Sequence, residues 1–343
     1  MKKYFITFTV IFICFIVVLL LLGFGFSSSD SKSKTVNINE RDSLTFLCAG
    51  LDYVGSNTDS LILVSVNTNE KSLKFLQIPR DTFVSGESSN RKINNLYSTY
   101  YEKKGNRDSA MLQLKETLSD ILALPVDYYF ALDLAALSKT VDKIGGIEID
   151  VPYDMKYVDA EQNLDISIKK GKQILNGQKA LDFVRYRFGY VEGDIGRVDA
   201  QKIFLSAFLN TVKEKINIPT AISILKDCAS YASTDMSTEL LVSFAVKMLG
   251  EGSQYKVYYM TLPGEAANDT ENGLSYYAVN RASAIDMLYK QGFYGFERSK
   301  FDASNRLLND KSLKFSNIYY APNYDYSVYS DEDIKNIKIN IKS

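Results

Sequence analysis

Three groups of residues have the types and spacing for chemistry on an anion. The densest is Phe183-Val184-Arg185-Tyr186-Arg187, followed by Asp194, Arg197 and Gln201. If its first segment is extended, Arg185 and Arg187 point to one face, two planar guanidinium forks side by side. Arg197 and Gln201 are four residues apart near a helix start, where backbone N–H groups also favour anions. Together they make a cradle for a diphosphate; the plainer reading is a solvated basic face with Asp194 as an N-cap. The second group is Ile78-Pro79-Arg80-Asp81-Thr82 at a strand end, followed by Arg91-Lys92-Ile93-Asn94. Proline ends the strand and presents Arg80 at the sheet edge; a surface salt bridge with Asp81 is the ordinary alternative. The third is Asp52 and Asp59, at strand ends where open α/β sheets place ligands. Two facing carboxylates suit a hard divalent ion such as Mg²⁺, though loop aspartates are also common turn formers.

Composition removes other chemistries. The 343 residues contain no histidine, which excludes Ser-His-Asp and Cys-His catalysis and every His-ligated metal site. Forty Lys plus Arg against 41 Asp plus Glu leave a formal charge of -1, so no global basic field invites nucleic acid. Cys14, Cys48 and Cys228 have neither metal-ligand spacing nor an obvious partner and read as packing residues.

The elements that position these groups follow from the apolar pattern. After a short N-terminus, residues 1–3, an uncharged apolar run from Tyr4 to Phe26 is long enough to cross a bilayer as one helix. It is longer than a cleavable signal core, and Lys2 and Lys3 favour a cytoplasmic N-terminus, so it reads as a signal anchor with everything beyond it outside the membrane. A tether over 27–42 leads into short apolar runs alternating with helical periods, the pattern of an α/β domain over 43–295. Leu44–Leu47, Leu61–Val66, Leu73–Ile78, Tyr128–Leu132 and Ile147–Val151 are expected strands, several without alternation, as in a sheet covered on both faces. Met111, Leu114, Leu118 and Ile121 share one helical face, as do Leu134, Leu137, Val141 and Ile144. Asp133 is the expected cap of the latter helix and Gly145-Gly146 its stop. A further helix is expected from about Arg197 to Lys215. Residues 296–343 form a polar, tyrosine-rich tail.

At this point the sequence resembles a known family, the LytR-CpsA-Psr proteins of bacterial envelope assembly. The resemblance rests on Ala49-Gly50-Leu51-Asp52, Thr58-Asp59-Ser60, Ile78 to Thr82, Lys92-Ile93-Asn94, Val126-Asp127-Tyr128-Tyr129, Asp142 to Ile147, Leu175-Asn176-Gly177, Ala180 to Arg187 and Asp194 to Gln201, in order. Leu262-Pro263-Gly264 and Ser275-Tyr276-Tyr277 look like weaker C-terminal features. The resemblance implies a three-layer α/β/α fold with a central mixed sheet, an apolar groove for a polyprenyl chain, and a charged mouth for its diphosphate with Mg²⁺ or Mn²⁺. By motif, Asp52 and Asp59 correspond to the metal-linked acids; Arg80, Arg185, Arg187, Asp194, Arg197 and Gln201 correspond to residues around the diphosphate. Many members carry Arg-Ser-Asp where this chain has Asn57-Thr58-Asp59, and Arg-Gln-Gln where it has Ala200-Gln201-Lys202.

The implied activity is metal-dependent transfer of a glycopolymer from a polyprenyl-diphosphate carrier to an acceptor sugar of peptidoglycan. Phosphoryl transfer needs positioning and charge neutralisation more than a covalent nucleophile, so the lack of histidine is no obstacle. In this reading Lys92 joins the arginines on substrate, and Asp81 and Asp194 are the alternatives for the base. A catalytically idle lipid-binding or regulatory protein and a diphosphate hydrolase are the rival readings.

Overall fold

The apolar runs beginning at Leu44, Leu61 and Leu73 become β1 (Ser43–Leu51), β2 (Thr58–Asn67) and β3 (Ser72–Ile78) in the computed structural model of the chain. The structure describes residues 42–51, 58–86, 90–159, 164–186, 194–215, 231–237, 240, 244, 254–269, 273–304, 307 and 326–334. Helices α1 (Leu96–Lys104) and α2 (Arg107–Leu122) precede β4 (Tyr128–Asp133). Then come α3 (Leu134–Lys143), β5 (Ile147–Val151), β6 (Met155–Asp159), β7 (Leu164–Ile168), β8 (Gly171–Leu175), α4 (Gly177–Arg185), α5 (Asp194–Lys215) and β9 (Ala232–Thr234). The order ends with β10 (Lys256–Thr261), β11 (Gly264–Asn268), β12 (Ser275–Val279), α6 (Arg281–Lys290), α7 (Arg298–Ser304), β13 (Val328–Ser330) and α8 (Asp331–Ile334). These elements form two compact units, one from Lys34–Ala131 with Lys256–Tyr329, the other including Leu132–Tyr255. The span 43–295, read from sequence as one domain, contains both. The expected anchor at residues 4–26 lies outside the described residues, among which no helix is long and apolar enough to cross a membrane.

The first unit carries the central sheet, its strands ordered β13-β10-β3-β2-β1-β4. β1 with β2 and β2 with β3 are antiparallel, whereas β10 runs parallel to β3, so the sheet is mixed. Every residue of β1 and β3 is buried, including Ser43, Thr45, Lys74 and Gln77 among the apolar ones, so both faces of these strands are covered. Leu47, Ala49, Leu51, Leu63 and Leu76 pack in one core with the expected α2 stripe of Met111, Leu114, Leu118 and Ile121. On the alternate positions Phe46 stacks on Tyr128 at 6.0 Å and Phe75 on Tyr259 at 5.4 Å. Asp127 fixes the start of β4: its carboxylate accepts from Thr45 N (2.8 Å) and its own N–H donates to Thr45 O (2.8 Å). Part of the polar tail also packs here, because Phe301 at 1% exposure supplies an apolar anchor. Tyr326 further donates to Asp286 at 3.1 Å.

The second unit corrects one local expectation. Residues 183–185 are not extended: they finish α4, and only Tyr186 turns to extended backbone. Asn176 caps that helix by accepting from Lys179 N at 3.0 Å, and Ala180, Leu181, Phe183 and Val184 bury a stripe at helical spacing. Arg185 is therefore a helix-terminal residue, and the alternating geometry that would aim it with Arg187 is absent; Arg187 itself lies outside the described residues. The α3 end is as expected: Gly145 and Gly146 take φ of 79° and 86°, and Gly146 N donates to Val141 O at 2.9 Å. Asp133 precedes α3 as the N-cap residue, but its side chain makes no cap hydrogen bond. Gly177 packs directly against Ser138 and Asp142 of α3. Its N–H donates to Asp142 Oδ1 at 2.8 Å, and a Cβ there would overlap both Ser138 oxygens and lie 2.7 Å from Asp142 Oδ2.

Candidate active site

In the first unit, Pro79 ends β3 and the chain turns, with Thr82 N donating to Pro79 O at 3.0 Å. β3 has β2 on one side and β10 on the other. Arg80 is therefore not presented at a sheet edge but is buried, at 6% exposure. Its Nε lies 3.7 Å from Asp81 Oδ2, while Lys92 Nζ donates to Asp81 Oδ1 at 2.7 Å. The backbone holds this group rigidly. Phe83 bridges Lys92 in antiparallel fashion, Ile93 N donates to Thr82 O at 2.9 Å, and Asn94 N donates to Arg80 O at 3.2 Å. From the other side, Tyr277 N donates to Asp81 O at 2.8 Å and Phe83 N donates to Tyr277 O at 2.9 Å. This brings Tyr276 into the cluster: Lys92 Nζ lies 5.7 Å from its ring centroid, and Phe83 meets that ring edge-on at 5.3 Å. The structure thus gathers Arg80, Asp81 and Lys92, and gives Lys92 to Asp81.

Asp52 lies outside the described residues, and Asp59 is placed by its backbone in β2. Leu51 and Thr58 are register partners, so the two aspartates directly follow paired residues at one end of the β1–β2 pair. No cluster of three His, Cys, Asp or Glu suited to a metal occurs among the described residues.

In the second unit Arg185 closes α4, and α5 begins at Asp194. Helix α5 carries the backbone of Arg197 and the wholly buried Gln201, whose Nε2 donates to Val184 O at 3.2 Å. Gln201 therefore satisfies a carbonyl near the α4 terminus, where intrahelical partners run out, and fixes the backbone beside Arg185. Ala200 is fully buried, so the family's arginine is replaced at a packed position. A cavity of about 750 Å³ lies between β5 and α5, its lining including Glu148, Asp150, Lys172, Ser206, Asn210 and Glu214. Ile149, Val151, Pro152, Ile203 and Ala207 complete the lining, which is mixed polar and apolar.

Sequence reading missed Asp182, one turn before Arg185. Burial pushes its carboxyl up, against the opposing hydrogen bond from Gln178 (3.0 Å) and the nearby Arg185 charge. The folded chain then holds this proton more tightly than the unfolded chain, so stability falls as pH rises from the ordinary carboxyl range through the raised value. Asp182→Asn is expected to raise the melting temperature at neutral pH and to flatten its decline across that window. Parallel melting curves against pH for both proteins would remove Asp182 from this role. Cys48, wholly buried in β1, has its thiol pushed well up by burial, in keeping with a packing residue.

The sequence profile of the LytR_cpsA_psr family matches residues 26–292. The chain belongs to the LytR-CpsA-Psr family. It is 34% identical over 184 residues to the polyisoprenyl-teichoic acid–peptidoglycan teichoic acid transferase TagV of Bacillus subtilis (strain 168), covering 52% of this chain and 45% of the relative. The match thus spans less than half of that relative's length. To the TagU transferase of the same description from Oceanobacillus iheyensis it is 27% identical over 247 residues, covering 70% of this chain and 72% of the relative. The crystal structure of B. subtilis TagV superposes with a TM-score of 0.57 at 26% identity, covering 76% of this chain and 98% of that one. The mixed α/β fold with a central mixed sheet is that of LytR-CpsA-Psr structures. Several motifs that carry the resemblance hold this scaffold together. Asp127 pins β4 to β1, and Asp142 receives Gly177.

Proposed function

We propose that this chain transfers a glycopolymer from a polyprenyl-diphosphate carrier to a sugar hydroxyl of peptidoglycan, on the outer side of a membrane that residues 4–26 span. The observation that carries this reading is the buried Arg80 with the Asp81–Lys92 pair at the end of β3, in a member of a family whose relatives are named transferases of this kind. The acceptor oxygen bonds to the phosphorus nearer the glycan, and the P–O bond to polyprenyl phosphate breaks. The hydroxyl proton leaves to a carboxylate. Asp81 and Asp194 are the two candidates for that carboxylate. Arg80, Arg185, Arg187 and Arg197 hold the diphosphate, their fixed charges offsetting what accumulates on phosphate oxygens. Lys92, paired with Asp81 in the free protein, would add its charge to the diphosphate on substrate entry. The carrier's hydrocarbon lies in an apolar groove of a three-layer α/β/α arrangement, stabilised by about 25 cal/mol per Å² buried.

Mg²⁺ or Mn²⁺ would be held by Asp52 and Asp59, the acids that the family motifs supply for a hard divalent ion. When bound, the ion neutralises diphosphate charge. The full chain in detergent, given Mg²⁺ and a polyprenyl-diphosphate-linked glycan, should form glycan-linked peptidoglycan only when a peptidoglycan acceptor is present. Equal release of glycan phosphate without acceptor would make it a hydrolase. Substrate binding without turnover would make it an idle lipid-binding protein.

A further inference from the structure

The cavity of about 750 Å³ between β5 and α5 has the size that takes a small organic or peptide ligand, and its lining belongs wholly to the second unit. Five consecutive residues, Glu148 to Pro152, line one wall. Side chains alternate between the faces of a strand, so a wall of consecutive residues runs along the strand's edge. That edge of β5 is open: β8 pairs with the other one, and the two strands form a sheet by themselves. Its outward N–H and C=O groups are a template for the amides of a peptide. The opposite wall is a stripe of α5. Ser206, Asn210 and Glu214 stand four residues apart on one helix face, and none of their side chains has a hydrogen-bond or ion-pair partner among the described residues. Glu148 and Lys172 satisfy each other across the strands at 2.9 Å. Asp150, Glu214 and the Lys170 ammonium remain, two acids and one cation without an ion-pair partner among the described residues. No aromatic ring stands among the described lining residues, so the cavity offers no flat face for a sugar. The complementary ligand is a short peptide with a free side-chain amine and a free carboxylate.

We infer that this cavity binds the peptide arm of the peptidoglycan acceptor, with the arm's amine set against Asp150 and Glu214, its carboxylate against Lys170 and its amides along the open edge of β5. The inference rests on the proposed transfer to peptidoglycan. Helix α5 links the two ends of the acceptor. Arg197, placed on the diphosphate, stands near its start, and Ser206 in the cavity wall follows about 14 Å further along the axis, at 1.5 Å per residue. About four residues of extended peptide cover that length.

The test measures binding and transfer separately. A synthetic tetrapeptide with one lysine, a free C-terminal carboxylate and a blocked N-terminus is titrated by calorimetry into the detergent-solubilised full chain. Wild type should bind it, and the double variant Asp150→Asn with Glu214→Gln should bind it about tenfold more weakly, since two charged contacts are lost. Acetylating the peptide's lysine should weaken binding to wild type by a similar factor. Both acids are exposed, so the melting curves of variant and wild type should coincide. In transfer, the variant's KM should rise about tenfold for peptidoglycan that carries its peptides and stay unchanged for glycan stripped of them by an amidase. No peptide binding by wild type, equal binding by both proteins, or a KM raised equally for both acceptors would overturn the inference while leaving transfer in place. Transfer to neither acceptor by wild type would overturn the transferase reading and the acceptor role of the cavity with it, even where the peptide binds.

Discussion

Arg80→Ala is expected to slow single-turnover transfer about ten- to a hundred-fold, since each charge-assisted hydrogen bond lost costs about 1.5–3 kcal/mol. Arg80 is buried, so alanine also leaves a cavity, and melting curves must accompany the kinetics. Arg80→Lys separates the two effects. It keeps the charge and most of the volume but loses the planar fork, and so should fall nearly as far as alanine if two phosphate oxygens are engaged at once. Wild-type turnover in the lysine variant would show that a point charge suffices and that the fork is not used. The backbone around position 80 should survive either change, because Asn94 and the Pro79 turn hold it through main-chain bonds.

Gly177→Ala should have the largest effect on stability away from the charged cluster. The new methyl group would overlap the Ser138 oxygens and crowd Asp142 Oδ2, while the Gly177 N–H still needs Asp142 as its acceptor. Helix α3 and helix α4 would have to part, which costs about 1–3 kcal/mol for an overpacked contact and more if the hydrogen bond breaks. The control is Lys179→Ala on the exposed side of α4, expected to stay within about 0.5 kcal/mol. Equal denaturant midpoints for the two variants would mean that the α3–α4 contact relaxes freely.

What was legible in the sequence is what burial writes directly into composition. β1, β3 and β4 are buried along nearly their whole length, so their residues form runs that only a covered sheet accommodates. The α2 stripe was equally plain, each of its four residues being wholly buried. Hairpin strands β6 and β7 escaped notice because one side of each faces solvent and only Met155, Ile166 and Ile168 mark the other. For 183–185 the period was available, Ala180, Leu181, Phe183 and Val184 being spaced for a helix behind an Asn176 cap. The alternate spacing of Arg185 and Arg187 competes with that period in the sequence. The charged cluster was half legible. Arg80, Asp81 and Lys92 stand in recognisable motifs, but their mutual pairing depends on a bridge to β12, far along the chain. Asp182 could not be found by residue type at all: it matters because burial resists its charge.

The parallel pairing of β10 with β3 sets the order in which the chain can fold. Ser72 lies opposite Lys256, with all of Leu132–Tyr255 between them in sequence. Contacts this distant raise the contact order and slow the search for the native sheet, since the intervening chain must be closed before the pairing stabilises anything. As the chain emerges from its N-terminus, β1, β2 and β3 can join early through short antiparallel connections, leaving the Leu73–Ile78 edge open. That edge carries Phe75 and a row of unpaired backbone groups, the kind of template on which nascent chains associate wrongly. Only after about three quarters of the 343-residue chain has appeared can Lys256–Thr261 close it and lay Tyr259 over Phe75. A chain cut short after Tyr255 would therefore fail by sticking to its neighbours rather than by merely losing activity.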